Sequence, residues 1–290
     1  MEILVLGGTG TVGSAVVGEL LRRDADVRVL TRDASEADLP EGATAVEGDL
    51  RAPETVRSAF DGVDGVFLLN AVSPTEAHEG LMAVNGVDLA GVERLVYMSV
   101  HHADAAPHLP HFGSKLGVEA AVKASGATWT ILRPNNFFQN DAWLKDVILG
   151  HGVYPQPLGS VGVSRVDVRD IAEAAAIALT TGEHGGEVYD LVGSEAWTGE
   201  ATAQVWSRAL GREIAYAGHD DMDGWEEQAR EGMGMPAWMA FDIRRMYEHF
   251  HEHGLLASDE AIERQTALLG HAPRRYEDYV REPAAAWTEG

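Results

Sequence analysis

The chain has 290 residues and a formal net charge of −24, with 46 acidic against 22 basic side chains and no cysteine. This acidity excludes nucleic acid and anionic membrane surfaces as partners, because phosphate groups attract basic surfaces. The missing cysteines exclude disulfides, thiol catalysis and thiolate metal sites, while 45% apolar residues are enough for a full hydrophobic core.

Short apolar runs alternate with helical patterns along the first half of the chain. Such alternation is typical of a parallel sheet that helices cover on both faces. Strands are predicted over 2–6, 27–31, 43–47, 65–69, 94–99 and 128–133, and helices over 11–23, 54–60, 75–89 and 112–124. The sequence therefore predicts an α/β fold with a doubly wound parallel sheet of the Rossmann type.

The pattern changes after Asn140. The stretch 150–162 is rich in Gly and Pro and is predicted to be a loop or an irregular strand. A helix over 168–181, capped by Asp167, and a strand over 187–191 return to the sheet. Five more helices are predicted over 198–210, 220–231, 236–253, 258–269 and 275–287. We expect a Rossmann domain over 1–150, which 165–192 rejoins, and a small helix-rich C-terminal cap over 193–290.

A glycine-rich loop follows the first predicted strand. Residues 7–13 read GGTGTVG and match both G-x-x-G-x-x-G and G-x-G-x-x-G. Glycines at these positions allow a tight turn and a close approach of the backbone to a pyrophosphate, which the helix N-terminus then binds. Because the loop lies between a buried strand and an amphipathic helix, it predicts a dinucleotide-binding site rather than an ordinary turn.

The end of the second strand predicts which cofactor binds. An NAD site carries an acidic residue there for the ribose 2′-OH, whereas this strand ends in Thr31 and Arg32. Arg32 favours NADP(H) over NAD(H), because a guanidinium pairs with a 2′-phosphate. The alternative is a surface arginine paired with Asp33. Asp49, after the third strand, suits a hydrogen bond to the adenine amino group, and its alternative is a cap or turn residue.

Short segments spread over essentially the whole chain carry a family resemblance. They are GGTGTVG at 7–13, Thr31-Arg32, Gly48-Asp49-Leu50, Ser99, Lys115, TILRPNNFF at 130–138 and the ending at 274–287. Together they resemble the NmrA-like branch of the atypical short-chain dehydrogenases/reductases. That family includes reductases of quinones, azo dyes and triphenylmethane dyes, relatives that act on aromatic ethers, and members that only sense the cofactor. The resemblance therefore implies a Rossmann fold and an NAD(P) cofactor.

The resemblance also implies a catalytic set and one departure from it. In the large ketoreductase branch, a Ser follows the fifth strand and a Tyr and a Lys lie four residues apart on the next helix. Here the set is Ser99, His111 and Lys115, so a histidine occupies the Tyr position. Lys115 would hydrogen-bond the nicotinamide ribose, and its ammonium would lower the pKa of His111. A neutral histidine is a weak proton donor, which favours acceptors that need little proton assistance, such as a quinone or a cationic dye.

The remaining site residues are predicted from their positions near the carboxyl ends of strands. The predicted cofactor contacts are Gly7, Thr9, Gly10, Thr11, Val12, Arg32, Asp49, Leu50, Asn70, Ala71, Lys115, Pro134 and Asn135. The predicted substrate contacts are His101, Asn136, Phe137, Phe138, Tyr154 and Trp238, and further candidates for the wall of the site are Trp143, Trp225 and Met235. Aromatic rings at these positions could stack on a flat acceptor, and their alternative role is core packing under the cap.

Two groups of histidines contain residue types that can bind a metal ion. The first comprises His101, His102, His108 and His111 with Asp104, and the second comprises His249, His251 and His253. Neither has the fixed spacing of known metal sites. We predict a polar loop for the first group, a solvated helix surface for the second, and no metal.

These observations predict an NADPH-dependent oxidoreductase that transfers hydride to a flat aromatic, quinone-like or dye-like small molecule. The alternative is a non-catalytic NADP(H)-sensing regulator, and a third possibility is an isomerase or epimerase with bound NAD(P). No apolar run approaches the ~20 residues that a membrane helix needs, and a strand at residue 2 leaves no room for a signal peptide. We therefore expect a cytoplasmic monomer or homodimer.

Overall fold

The structure is a computed structural model that describes residues 1–218 and 221–288. The strands of this part are β1 Glu2–Leu6, β2 Asp26–Thr31, β3 Ala43–Glu47, β4 Gly65–Leu68, β5 Arg94–Met98, β6 Thr128–Pro134, β7 Val153–Tyr154, β8 Glu187–Leu191 and β9 Ala215–Tyr216. Seven of them form one parallel sheet in the order β3-β2-β1-β4-β5-β6-β8, and β7 pairs with β9. The strand order reverses between β1 and β4, where doubly wound folds bind their ligands.

The helices of the same part are α1 Thr11–Leu21, α2 Pro53–Phe60, α3 Glu76–Ala90, α4 Pro110–Ala124, α5 Lys145–His151, α6 Val168–Thr181, α7 Gly199–Leu210, α8 Met222–Glu231, α9 Ala237–His253, α10 Asp259–Leu269 and α11 Tyr276–Thr288, with a 3₁₀ segment over Phe138–Leu144. The predicted α/β fold with a doubly wound parallel sheet is confirmed. Every predicted strand and helix is present, with ends that agree within two residues. Residue 220, where the helix over 220–231 was predicted to start, lies outside the described residues. Asp167 caps α6 as predicted, since its Oδ1 accepts the backbone N–H of Arg169 at 2.8 Å. The 3₁₀ segment and α5 were not predicted.

Two helical layers cover the sheet. Apolar side chains of α1, α6 and α10 form one core cluster with β1, β2 and β5, and those of α2, α3 and α4 form another on the opposite face. Leu268 and Leu269 of α10 thus pack with the sheet, although they lie within the predicted cap range 193–290. The domain boundaries remain a prediction. No helix of the described ranges is long and apolar enough to cross a membrane.

A third core cluster joins the helices after β8 to α4 and to the segment after β6, and a buried ion pair lies beside it. Arg165 and Asp141 are both fully buried, and their closest atoms, Arg165 Nη2 and Asp141 Oδ1, lie 2.7 Å apart. The Tyr154 hydroxyl and the Trp206 indole N–H also donate to Asp141, at 3.0 and 3.1 Å. A buried pair with these added hydrogen bonds is costly to break, so it holds the segments that carry these four residues together.

Candidate active site

The glycine-rich loop has the tight geometry that its sequence predicts. Gly7 has a φ of 72°, in the left-handed region, and its carbonyl accepts the N–H of Gly10 at 3.0 Å. A Cβ on Gly13 would lie 2.0 Å from the Gly7 oxygen, so only glycine lets α1 start this close to the loop. The loop therefore presents backbone N–H groups at the N-terminus of α1, which is a favourable place for a pyrophosphate.

A cavity of about 350 Å³ lies at the carboxyl ends of the strands. The predicted site residues that line it are Gly10, Thr11, Val12, Asn70, Ser99, His111, Lys115, Pro134, Asn135, Asn136 and Phe137. Of the further wall candidates, Trp143 lines the cavity and Trp225 and Met235 do not. Ten other lining residues were not among the predicted site residues: Leu69, Val72, Met98, Val100, Phe112, Gln139, Asn140, Met246, Phe250 and Leu255. The phosphate loop, the end of β6 and helix α9 thus enclose one site.

Lys115 pairs with an acidic residue that sequence reasoning missed. Its Nζ lies 2.6 Å from Oε1 of Glu76, and both side chains are buried. Glu76 is the first residue of α3, where the helix dipole favours a carboxylate. The two helices approach closely because Gly80 has no side chain; a Cβ there would lie 2.7 Å from Val118 of α4. Burial raises the pKa of Glu76, and the Lys115 ammonium opposes that rise.

His111 lies one turn before Lys115 on α4. Its backbone N–H donates to Oδ1 of Asp242 on α9 at 3.0 Å, and its Nδ1 lies 3.9 Å from Oε2 of Glu76. Burial of the ring lowers the pKa of His111 well below its usual range, and the Lys115 charge lowers it further. The predicted direction of this shift is confirmed, and burial is its larger cause. His111 is therefore neutral near pH 7.

This lowered pKa makes stability depend on His111 at acidic pH. Below about pH 6.5 the unfolded chain binds a proton at this histidine and the folded chain does not, so the free energy of unfolding falls as pH falls. The contribution reaches about 1.4 kcal/mol per pH unit, and His111→Phe is expected to remove it. Denaturant unfolding of both proteins between about pH 7 and 5 measures the difference. The control His151→Phe, at an exposed position, should show the same dependence of the unfolding free energy on pH as the wild type. The same dependence in His111→Phe would contradict this role of His111.

Buried polar atoms at the site lack a hydrogen-bond partner in the described part of the chain. Within the described ranges, neither Nδ2 of Asn70 nor Nδ1 of His111 makes a hydrogen bond, although both residues line the cavity. Buried polar atoms are usually paired, so an unpaired set at a cavity indicates a polar ligand. Together with the backbone cradle of the glycine loop, these atoms fit a dinucleotide.

The other predicted cofactor residues are not part of the cavity lining. Arg32 is exposed at the end of β2, and no ion pair links it to Asp33, which bonds Ser35 instead. Asp49 binds the Arg51 guanidinium at 2.7 Å, and this hydrogen bonding lowers the pKa of Asp49 to about 2. The adenine contact of Asp49 stays a prediction, as do those of Gly7, Thr9, Leu50 and Ala71.

Arg32 is predicted to bind the 2′-phosphate of NADPH. Arg32→Ala is expected to weaken NADPH binding by roughly 10- to 100-fold, because a charge-assisted bidentate contact contributes about 1.5–3 kcal/mol. NADH, which lacks the 2′-phosphate, should bind as before. Isothermal titration calorimetry with both cofactors measures the two losses. Arg57→Ala, which removes an exposed arginine from α2, is the control for net charge. Equal losses for NADPH and NADH in Arg32→Ala would contradict the assignment.

Four predicted substrate residues lie away from the cavity. His101 is buried, with Nδ1 2.9 Å from Asp190 and Nε2 3.2 Å from the Leu256 carbonyl. Phe138 and Tyr154 are fully buried in the third core cluster, and Trp238 is absent from the cavity lining. In this structure the first three therefore pack or hydrogen-bond within the protein. Substrate contacts by the four stay a prediction.

Asn135 and Asn136 line the cavity but also have bonds within the protein. The Asn135 amide donates to the Leu255 carbonyl at 2.9 Å and accepts the backbone N–H of Asn136 at 2.7 Å. The Asn136 side-chain oxygen accepts from Nε of Arg165 at 3.0 Å. These two residues therefore connect β6 to the segments around residues 165 and 255, and this fixes the cavity wall.

The two histidine groups of the sequence meet in the fold. The ring centroids of His108 and His249 are 6.3 Å apart, and those of His249 and His253 are 4.7 Å apart. Among the described residues, only one group of three His, Asp or Glu side chains brings its potential metal-ligand atoms close together. It consists of Asp170, Glu173 and His271. There the Arg274 guanidinium binds both carboxylates.

A glycine loop at the first strand–helix turn and a cavity at the switch point of a parallel sheet define a dinucleotide-binding Rossmann protein. The chain belongs to the NmrA-like family, whose model matches residues 1–280. It is 33% identical over 289 residues to the NAD(P)H azoreductase of Xenophilus azovorans, covering 98% of this chain and 99% of that protein.

Two solved structures share the fold over almost the whole chain. The NADPH-dependent quinone oxidoreductase of Escherichia coli, in complex with NADPH, has a TM-score of 0.85 at 24% identity and covers 97% of this chain and 99% of its own. The triphenylmethane reductase of Citrobacter sp. also has a TM-score of 0.85, at 21% identity, with 98% and 100% covered.

Proposed function

We propose that the protein is an NADPH-dependent reductase that transfers hydride to a flat aromatic, quinone-like or dye-like small molecule. One observation carries the proposal: residues of the phosphate loop and exposed or half-buried aromatic rings line the same cavity. Gly10, Thr11 and Val12 lie on its wall together with Phe137 and Trp143. A cofactor on the loop and a flat acceptor on the rings would therefore be neighbours.

Each residue type has a separate task in this scheme. Bound NADPH supplies the hydride. The glycine loop binds its pyrophosphate, Arg32 pairs with its 2′-phosphate, and Lys115 hydrogen-bonds the ribose next to the nicotinamide. Phe137 and Trp143 hold the acceptor by stacking. His111 is neutral and donates a proton weakly, so the acceptor must accept hydride with little proton assistance.

The names of the relatives agree with this scheme. The azoreductase relative and the two structural neighbours are named as reductases of azo compounds, quinones and triphenylmethane dyes. Quinones and such dyes are conjugated and carry flat rings, and they accept hydride at an electron-poor centre. The protein has the same fold and a cavity of suitable chemistry. We place it in the cytoplasm, as a monomer or homodimer, which localisation microscopy and native mass spectrometry test.

The second candidate is a regulator that binds NADP(H) without catalysis. The histidine at the Tyr position, with its lowered pKa, favours it over an isomerase, whose chemistry relies on that proton donor. A screen of NADPH oxidation against quinones, triphenylmethane dyes, azo dyes, enones and aldehydes separates the candidates. We expect turnover with the first three classes and little with aldehydes. Tight NADPH binding without oxidation by any acceptor would favour the regulator.

A further inference from the structure

The cavity wall carries little net charge. Of its 22 lining residues, only His111 and Lys115 are ionisable, and His111 is neutral near pH 7. Lys115 is thus the one cation on the described wall, and no carboxylate lies on it. The Lys115 ammonium is therefore the one charged group of the wall that a bound acceptor could contact.

Glu76 cancels that charge from behind the wall. It does not line the cavity, yet its Oε1 lies 2.6 Å from Nζ of Lys115, and both side chains are about 95% buried. An ammonium that already has a buried carboxylate partner has little attraction left for an anion, because the pair acts as a dipole. The chain around the cavity has a net charge of −24, which adds a repulsive field for anions.

We propose that Glu76 is a specificity-determining residue: by neutralising Lys115, it restricts the acceptor to uncharged or cationic flat molecules and rejects anionic ones. This inference rests on the proposed reductase function and names its acceptor class. An acceptor with a sulfonate would have to bury that group with no free cation to meet it. Rejection by an unpaired buried charge is a common source of specificity.

The inference predicts a change of preference in one variant. Glu76→Gln keeps the shape of the side chain and leaves the Lys115 ammonium without its counter-charge. The site then offers a cation to an anionic acceptor. Glu79→Gln, on the same helix and outside the cavity lining, makes the same change in net charge and is the matched control.

The experiment compares 1,4-naphthoquinone, its 2-sulfonate and the same ring with a quaternary ammonium group. NADPH oxidation gives kcat/KM for each acceptor with wild type, Glu76→Gln and Glu79→Gln, at low and high ionic strength. In the wild type we expect the sulfonate to be poorer than the other two by about tenfold or more. This is expected even though the sulfonate makes the ring easier to reduce. The penalty should remain at high salt, because buried charges are screened weakly.

In Glu76→Gln, the ratio of kcat/KM for the neutral acceptor to kcat/KM for the sulfonated acceptor is expected to shrink by about tenfold. In Glu79→Gln this ratio is expected to stay as in the wild type. An equal kcat/KM for the wild type with both acceptors, or a penalty that salt abolishes, would overturn the inference and leave the proposed function intact. If all three acceptors fail while NADPH binds, the proposed function falls and this inference with it. Should Glu76→Gln not fold, the wild-type ratio and its salt dependence still decide.

Discussion

Replacing Lys115 with Met is expected to lower the turnover number with NADPH and a quinone by about 100-fold or more. Lys115 lies on the cavity wall, and its position is fixed by burial and by the 2.6 Å contact with Glu76. A cofactor that loses this hydrogen bond is misplaced relative to the acceptor, and small misplacements cost factors of about 100. Steady-state kinetics at saturating NADPH and acceptor measure the loss.

The same substitution also disturbs the fold, and a second variant separates the two effects. Lys115→Met leaves Glu76 buried without its partner, which costs up to about 3–5 kcal/mol in the free energy of unfolding. The raised pKa of Glu76 reduces this cost, because the carboxyl can protonate. Lys115→Met combined with Glu76→Gln removes both charges, so most of the stability should return while turnover stays low. Recovery of turnover together with stability would assign Lys115 a structural role only.

The features that the sequence predicted depend on residues close together in the chain, whereas the contacts that it missed join residues far apart in the chain. The glycine loop, the strands and the helices depend on neighbours within a few residues, and hydrophobic periodicity with local turn signals identifies them. The His111 and Lys115 pair, four apart on one helix, is of this kind. Glu76 precedes Lys115 by 39 residues, and Asp242 follows His111 by 131. No local sequence pattern predicts contacts between residues so far apart in the chain.

The aromatic residues show a second limit. Phe137 and Phe138 are adjacent in the sequence, and both were predicted to contact substrate. Phe137 lines the cavity, whereas Phe138 is buried in the core and packs against Tyr276 with a centroid distance of 5.1 Å. Trp143, which also lines the cavity and is 87% exposed, follows in a 3₁₀ segment that no periodic pattern predicted. In irregular segments the sequence does not fix which side of the backbone a ring takes.

Gly13→Ala is expected to weaken NADPH binding by about 100-fold or more, because the loop that binds the pyrophosphate must move. The added Cβ would meet the backbone of the loop: it would lie 2.0 Å from the Gly7 oxygen, 2.5 Å from the Gly7 carbonyl carbon and 2.7 Å from Gly8 Cα. Backbone cannot rotate away as a side chain can, so either α1 or the loop shifts. The loop amides then lose their geometry toward a phosphate.

The same strain should lower the free energy of unfolding of Gly13→Ala by about 1–3 kcal/mol, as overpacking of a close contact does. Gly18→Ala is the matched control, since it lies one and a half turns further along α1 and its Cβ would have no atom within 4 Å. Alanine is the better helix former there, so this variant should gain about 0.5–1 kcal/mol and bind NADPH as the wild type does. Calorimetric titration and denaturant unfolding of the two variants give both numbers. Tight NADPH binding by Gly13→Ala would mean that the cofactor does not bind at this loop, and would contradict the proposed role of the loop in the reductase.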